Sequence, residues 1–140
     1  MPRGTNIVLI NPGDRRQIYQ ELSIEHSAIE PPFLIASIAS YLRNNNVSVE
    51  IIDSNALGLT PEETAGRVND ISAQLAVVIV YGSQPSASTQ TMGIAGRICT
   101  ALKNLTRVKV AIGGLHPSAL PARTLKEEAV DFVIDGEGQV

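Results

Sequence analysis

The chain has 140 residues, 44% of them apolar and 18% charged, with a formal net charge of -3 at pH 7 and an isoelectric point near 5.3. This suits one globular domain with its own core, and the mild acidity without clustered Lys and Arg argues against a nucleic-acid surface. The longest apolar runs, such as 76–81, fall far short of the ~20 residues a membrane-spanning helix needs, no leader is expected ahead of Ile7, and Cys99, the single cysteine, excludes an internal disulfide or multi-cysteine metal cluster in this chain.

One unpaired cysteine points to a reducing, cytoplasmic setting. Asn6-Ile7-Val8-Leu9-Ile10 carries a continuous β-branched run, the pattern of a strand buried on both faces. It ends at Asn11-Pro12-Gly13-Asp14, because proline cannot join a central ladder. The stretch from Asn11 to about Pro31 has no sustained period and carries Asp14, Arg15, Arg16, Glu21, Glu25, His26 and Glu30. It is expected to be a long loop over the ligand-binding edge, since loops of that length are usually functional.

Pro31-Pro32 opens a helix whose inward face is Leu34, Ile35, Ile38, Ala39 and Leu42, and Asn44-Asn45-Asn46 closes it with a residue type that tolerates the left-handed cap. The alternating stretch 47–53 reads as a strand nearer the sheet edge. Thr60-Pro61-Glu62-Glu63 supplies an N-cap, a first-turn proline and the glutamate of a capping box, so a helix runs from Pro61 to about Ala73. Leu75 to Val80 is a second doubly buried strand, ending at Tyr81-Gly82-Ser83-Gln84-Pro85-Ser86. A third helix is expected from about Ser88 to Leu105, with Met92, Ala95, Ile98, Leu102 and Leu105 inward. Gly93 and Gly96 within it imply close approach to the sheet or a neighbouring element, offsetting the ~1 kcal/mol each costs relative to alanine.

Val108 to Ile112 is the fourth strand, and the glycines after it invite either a tight strand-to-helix turn or a ligand lying against bare backbone. A short helix follows Pro121, and 131–135 is the fifth strand, ending at Gly136-Glu137-Gly138, where Glu137 suits a ligand contact as well as a solvated turn. Strands alternating with helices predict a three-layer α/β domain with right-handed crossovers. The first, third and fourth strands are apolar throughout while the second and fifth are more polar, which places the latter at the edges. The expected fold is therefore flavodoxin-like (Rossmann-like), a five-stranded parallel sheet in the order 2-1-3-4-5. Stopping just after the fifth strand, residues 1–140 read as one domain of a longer protein.

Several occupants of such a fold fail on particular residues. The dinucleotide fingerprint is missing after the first strand, where Asn11-Pro12-Gly13-Asp14 stands, and there is no Walker loop. A phosphate-accepting receiver wants an aspartate where the third strand ends in Tyr81-Gly82. Aromatics at 4% leave little to sandwich a flavin ring. No catalytic constellation is evident from His26, His116 and the helix-face carboxylates, and Cys99 reads as a core residue rather than a reactive thiol.

Five stretches in order resemble the N-terminal cobalamin-binding domain of cobalamin-dependent radical S-adenosylmethionine enzymes. They are Val8-Leu9-Ile10-Asn11-Pro12, Pro31-Pro32 with the helix through Ala39-Ser40-Tyr41-Leu42, Val49-Glu50-Ile51-Ile52-Asp53, Gly113-Gly114-Leu115-His116-Pro117, and 131–138. Phe33-Leu34 stands where that family usually has a leucine-glycine pair. The resemblance implies a corrin ring on the carboxyl ends of the strands and a nucleotide tail beside the glycine pair. It points to Asn11, Pro12, Gly82, Ser83, Gln84, Pro85, Ser86, Gly113, Gly114, Leu115, His116, Pro117, Gly136, Glu137 and Gly138 as cofactor-binding residues.

Methionine-synthase-like cobalamin domains carry Asp-x-His-x-x-Gly after the first strand, whereas this chain has Asp14-Arg15-Arg16-Gln17. The departure implies cobalt ligated by neither the cofactor's own base nor a protein histidine, with His116 better placed to hydrogen-bond the tail than to ligate cobalt. The resemblance further implies a following barrel domain in the same polypeptide, holding a [4Fe-4S] cluster and S-adenosylmethionine and performing methyltransferase or cyclase chemistry. Two other readings stay open: an interaction or regulatory module that binds no cobalamin, whose strand-end loops fill with their own side chains, and a flavin-binding electron carrier.

Overall fold

β-Branched runs alternating with amphipathic helices build, in a computed structural model of the chain, a parallel five-stranded sheet in the order β2-β1-β3-β4-β5. The structure describes residues 5–13, 32–80 and 85–135, with the backbone alone for 85–90, 115 and 116. The strands are β1 (Ile7–Asn11), β2 (Val49–Asp53), β3 (Leu75–Val80), β4 (Lys109–Gly114) and β5 (Phe132–Val133). The helices are α1 (Phe33–Asn44), α2 (Ser54–Leu57), α3 (Pro61–Ile71), α4 (Pro85–Leu105), α5 (Leu115–Ala119) and α6 (Pro121–Glu127).

Successive strand residues point to opposite faces, so each apolar strand feeds two cores. Leu9, Val77, Ile79 and Ala111 meet Ile35, Ile38 and Ala39 of α1 on one face. Val8, Ile10, Val78, Val80, Val110 and Ile112 meet Ala65 and Val68 of α3 and Ile94, Ala95, Ile98 and Leu102 of α4 on the other. Each large aliphatic side chain so buried contributes roughly 1.5–3 kcal/mol from leaving water, and this drive places the three apolar strands centrally. At the edges, Glu50 and Phe132 face solvent.

Local signals act as expected at several helix ends. The Thr60 hydroxyl accepts from the Glu63 backbone N–H at 3.1 Å while the Glu63 carboxylate accepts from the Thr60 N–H at 3.0 Å, closing the capping box. Asn46 takes the left-handed conformation (φ 63°) past α1. α3 ends at Ile71, with Ser72 as its left-handed cap (φ 58°), two residues earlier than the apolar pattern suggested.

The structure corrects other expectations. β2 begins at Val49 rather than Val47, and α2 was not expected. α4 starts at Pro85, ahead of Ser88, and Leu105 at its end is 56% exposed rather than facing inward. Gly93 has open space where a side chain would stand, so no close approach explains it, whereas the Glu128 carboxylate occupies the position that a Gly96 side chain would take. β4 runs through the glycine pair, with Gly113 paired to Ile79 and Gly114 to Val80, and α5 follows directly instead of a loop. Residues 14–31, including the expected long loop and His26, lie outside the described residues.

β5 forms only two ladder residues, and Asp131 clamps its start. The Asp131 N–H donates to the Val110 carbonyl at 2.8 Å, while its carboxylate accepts from the Val110 N–H at 2.9 Å and from Lys103 Nζ at 2.8 Å. The Lys103 hydrogen bond first, then that from Val110, holds the Asp131 carboxyl below its ordinary 3.8. A depressed carboxylate contributes stability that is present above the unfolded value of about 3.9 and is lost as pH falls through the folded one. Asp131→Asn is therefore expected to lower the urea midpoint at pH 7 and to lessen its decline below about pH 4. Unfolding curves at pH 7 and in the acid range check this; parallel declines for both proteins would contradict it.

Candidate functional site at the carboxyl ends of the strands

The register brings polar or side-chain-free residues together at one edge of the sheet. Asn11 ends β1 directly opposite Asp53 at the end of β2, and Val80 ends β3 opposite Gly114 at the end of β4. In open parallel α/β sheets this is the edge at which ligands bind.

At the β1 exit, Asn11 Nδ2 donates to Asp53 Oδ1 at 3.0 Å. The same oxygen accepts from the Ala56 backbone N–H at 3.0 Å and so caps the short α2. Pro12 and Gly13 are buried, and a side chain at Gly13 would place its Cβ 2.5 Å from Asn55 Cβ. Beneath this turn, Ser54 Oγ and Thr64 Oγ1 lie 2.8 Å apart, both fully buried. Thr64 Oγ1 donates to the Thr60 carbonyl at 3.0 Å, so Ser54 is the donor within the pair. The exit of β1 is thereby tied to the β2–α2 turn, and that turn to α3.

At the β4 exit the glycines are required by the protein itself. Gly114 has φ 127°, and a Cβ there would run into the Val80 carbonyl group. A Cβ on Gly113 would sit 3.3 Å from Ile134 Cβ. Ile134 is held by its N–H donating to the Ile112 carbonyl at 2.8 Å, and its own carbonyl accepts from Ser118 Oγ at 3.4 Å. The side-chain space at both glycines is thus closed by the protein's own atoms, the Ile134 side chain at Gly113 and the Val80 backbone at Gly114.

Of the residues expected to bind a cofactor, Asn11, Pro12, Gly113, Gly114 and Pro117 lie at or next to these strand ends. Leu115 and His116 are in α5 rather than a turn, because the left-handed Gly114 rotates the chain straight from strand into helix, and Pro85 and Ser86 open α4. Gly82, Ser83, Gln84, Gly136, Glu137 and Gly138 lie outside the described residues. Sequence reasoning passed over Gly13, Asp53 and Asn55. The signal for Asp53 was present, since the order 2-1 sets two strands ending in Asn and Asp side by side.

Among the described residues no cluster of His, Cys, Asp and Glu is arranged to hold a metal ion, and no helix is long and apolar enough to cross a membrane. A cavity of about 420 Å³, rimmed by Asn69, Ser72, Gln74 and Arg107, lies at the opposite, amino-terminal edge of the sheet. Cys99 is fully buried in α4. Burial, then the nearby Glu128 carboxylate, pushes its thiol up to about 12. It is accordingly expected to resist iodoacetamide at pH 8 in the folded protein and to alkylate quickly in urea; rapid alkylation without denaturant would contradict the packing.

The fold has counterparts among solved structures. The radical S-adenosylmethionine methyltransferase TsrM from Kitasatospora setae, solved with a tryptophan substrate and the analogue aza-SAM, superposes with a TM-score of 0.74 at 19% identity, over 96% of this chain and 24% of that one. The same enzyme with cobalamin and a [4Fe-4S] cluster bound gives 0.62 at 18% identity, over 88% and 20%. The cobalamin-dependent S-adenosylmethionine radical enzyme OxsB, in its apo form, gives 0.60 at 18% identity, over 98% and 17%. This chain thus spans about a quarter or less of these enzymes. No curated protein sequence matches it. The B12 binding domain profile matches residues 24–140, and the chain belongs to that family.

Proposed function

We propose that this chain holds cobalamin against the carboxyl ends of its strands, with neither the cofactor's own base nor a protein histidine ligating cobalt, and presents it to a radical S-adenosylmethionine domain of the same polypeptide. The observation that carries the reading is the polar corner that Asn11 and Asp53 build at the carboxyl ends of β1 and β2, in a member of the B12-binding family. Bound cobalamin supplies a cobalt centre able to carry a methyl group or exchange an electron. The chain's own residues bind and orient: Asn11 and Pro12 border one side, Gly113 and Gly114 hold the end of β4 against β3 and Ile134 beside the cofactor, and Ser83, Gln84, Ser86 and His116 supply hydrogen bonds. The [4Fe-4S] cluster, S-adenosylmethionine and the methyltransferase or cyclase reaction belong to the partner domain.

The absence of histidine from Asp14-Arg15-Arg16-Gln17 supports the ligation state. It is tested by electron paramagnetic resonance of the protein loaded with cob(II)alamin. The expected spectrum has no nitrogen superhyperfine splitting; such splitting from the bound cofactor would contradict the proposal.

A further inference from the structure

Asn11 and Asp53 form the one side-chain hydrogen bond joining β1 and β2 at their carboxyl ends among the described residues. The carboxylate can only accept, so it dictates which way the Asn11 amide is turned: Nδ2 is committed to Asp53, and the carbonyl oxygen is left without a protein partner among the described residues. Asp53 is itself immobilised, because the oxygen that takes the Asn11 proton also takes the Ala56 N–H at 3.0 Å. The turn carrying it packs Asn55 against Gly13, two residues beyond Asn11. A single rotamer-fixed acceptor thus stands at the ligand-binding edge, a more specific arrangement than a freely rotating amide.

Resting on the cobalamin reading above, we infer that Asp53 is a positioning residue that turns the Asn11 side-chain oxygen toward a side-chain amide N–H of the corrin. Its negative charge makes this corner hostile to the tail phosphate and favourable to a neutral donor. The acetamide and propionamide arms at the corrin periphery are the donors of that class. Asp53 acts through Asn11 and need not touch the cofactor.

The experiment is a double-mutant cycle on hydroxocobalamin affinity, measured by absorbance titration of the whole chain. Asp53→Ser keeps an N-cap for Ala56, serine being a favoured capping residue, but is too short to hold the Asn11 amide; Asn11→Ala removes the acceptor. Each single change is expected to weaken binding about fivefold, with the thermal midpoint of Asp53→Ser close to that of the unaltered protein. The double variant is expected to bind no more weakly than Asn11→Ala alone, which a merely structural role for Asp53 would not produce. Unchanged affinity in Asp53→Ser, or losses that multiply in the double variant, would overturn the inference while leaving the cofactor reading intact. Failure of the unaltered chain to bind would overturn both.

Discussion

Gly114→Ala is expected to destabilise the domain by about 3 kcal/mol, a fall of roughly 10 °C in thermal midpoint, and to abolish cobalamin retention with it. Two costs combine. The backbone stands at φ 127°, a conformation that L side chains rarely adopt, and the new Cβ would lie 2.7 Å from the Val80 carbonyl carbon and 3.1 Å from its Cα. Those are main-chain atoms of the adjoining central strand, so neither can move aside without parting β3 from β4. Because the disturbance falls at the carboxyl ends of both strands, the cofactor edge is damaged together with the ladder. Calorimetry and a hydroxocobalamin titration on the same preparation check this; a variant with an unchanged melting point would refute the close approach.

Ile98→Ala is expected to cost as much or more, about 2–5 kcal/mol, with a different functional consequence. Ile98 is 1% exposed and packs in the core between α3, α4 and the sheet. Truncating it removes buried methyl groups and leaves a cavity that its β-branched neighbours cannot collapse into. None of the strand-end residues is touched, so the folded fraction is expected to bind hydroxocobalamin with the unaltered stoichiometry. Urea denaturation combined with binding below the transition separates the two effects; loss of binding in fully folded Ile98→Ala would show that α4 packing and the cofactor edge are coupled.

The strand order was legible because hydrophobic content tracks position in a parallel sheet. Val8 to Ile10, Leu75 to Val80 and Val110 to Ile112 are apolar on both faces, while Glu50 and Asp131 mark the edge strands. The end of β4 was less legible. A glycine pair after an apolar run reads as a turn, yet Gly113 and Gly114 continue the ladder, because what demands them is the backbone of Val80 and the side chain of Ile134, neither near in sequence. α2 escaped notice for a related reason: four residues have no helical period, and the helix exists because Asp53 caps it while also holding Asn11. The short β5 depends on Asp131 satisfying backbone and Lys103 together, a contact between residues 28 apart. At the site, Asn11, Gly113 and Gly114 were readable as residues at strand ends, but the Asn11 and Asp53 pair required strand order and register at once.

The most direct test of the account is a titration of the purified chain with hydroxocobalamin, followed by desalting and an absorbance spectrum. Cobalamin retained at one equivalent is the predicted result. A spectrum without corrin absorbance after desalting would contradict it, and would favour a strand-end surface that serves as an interaction module.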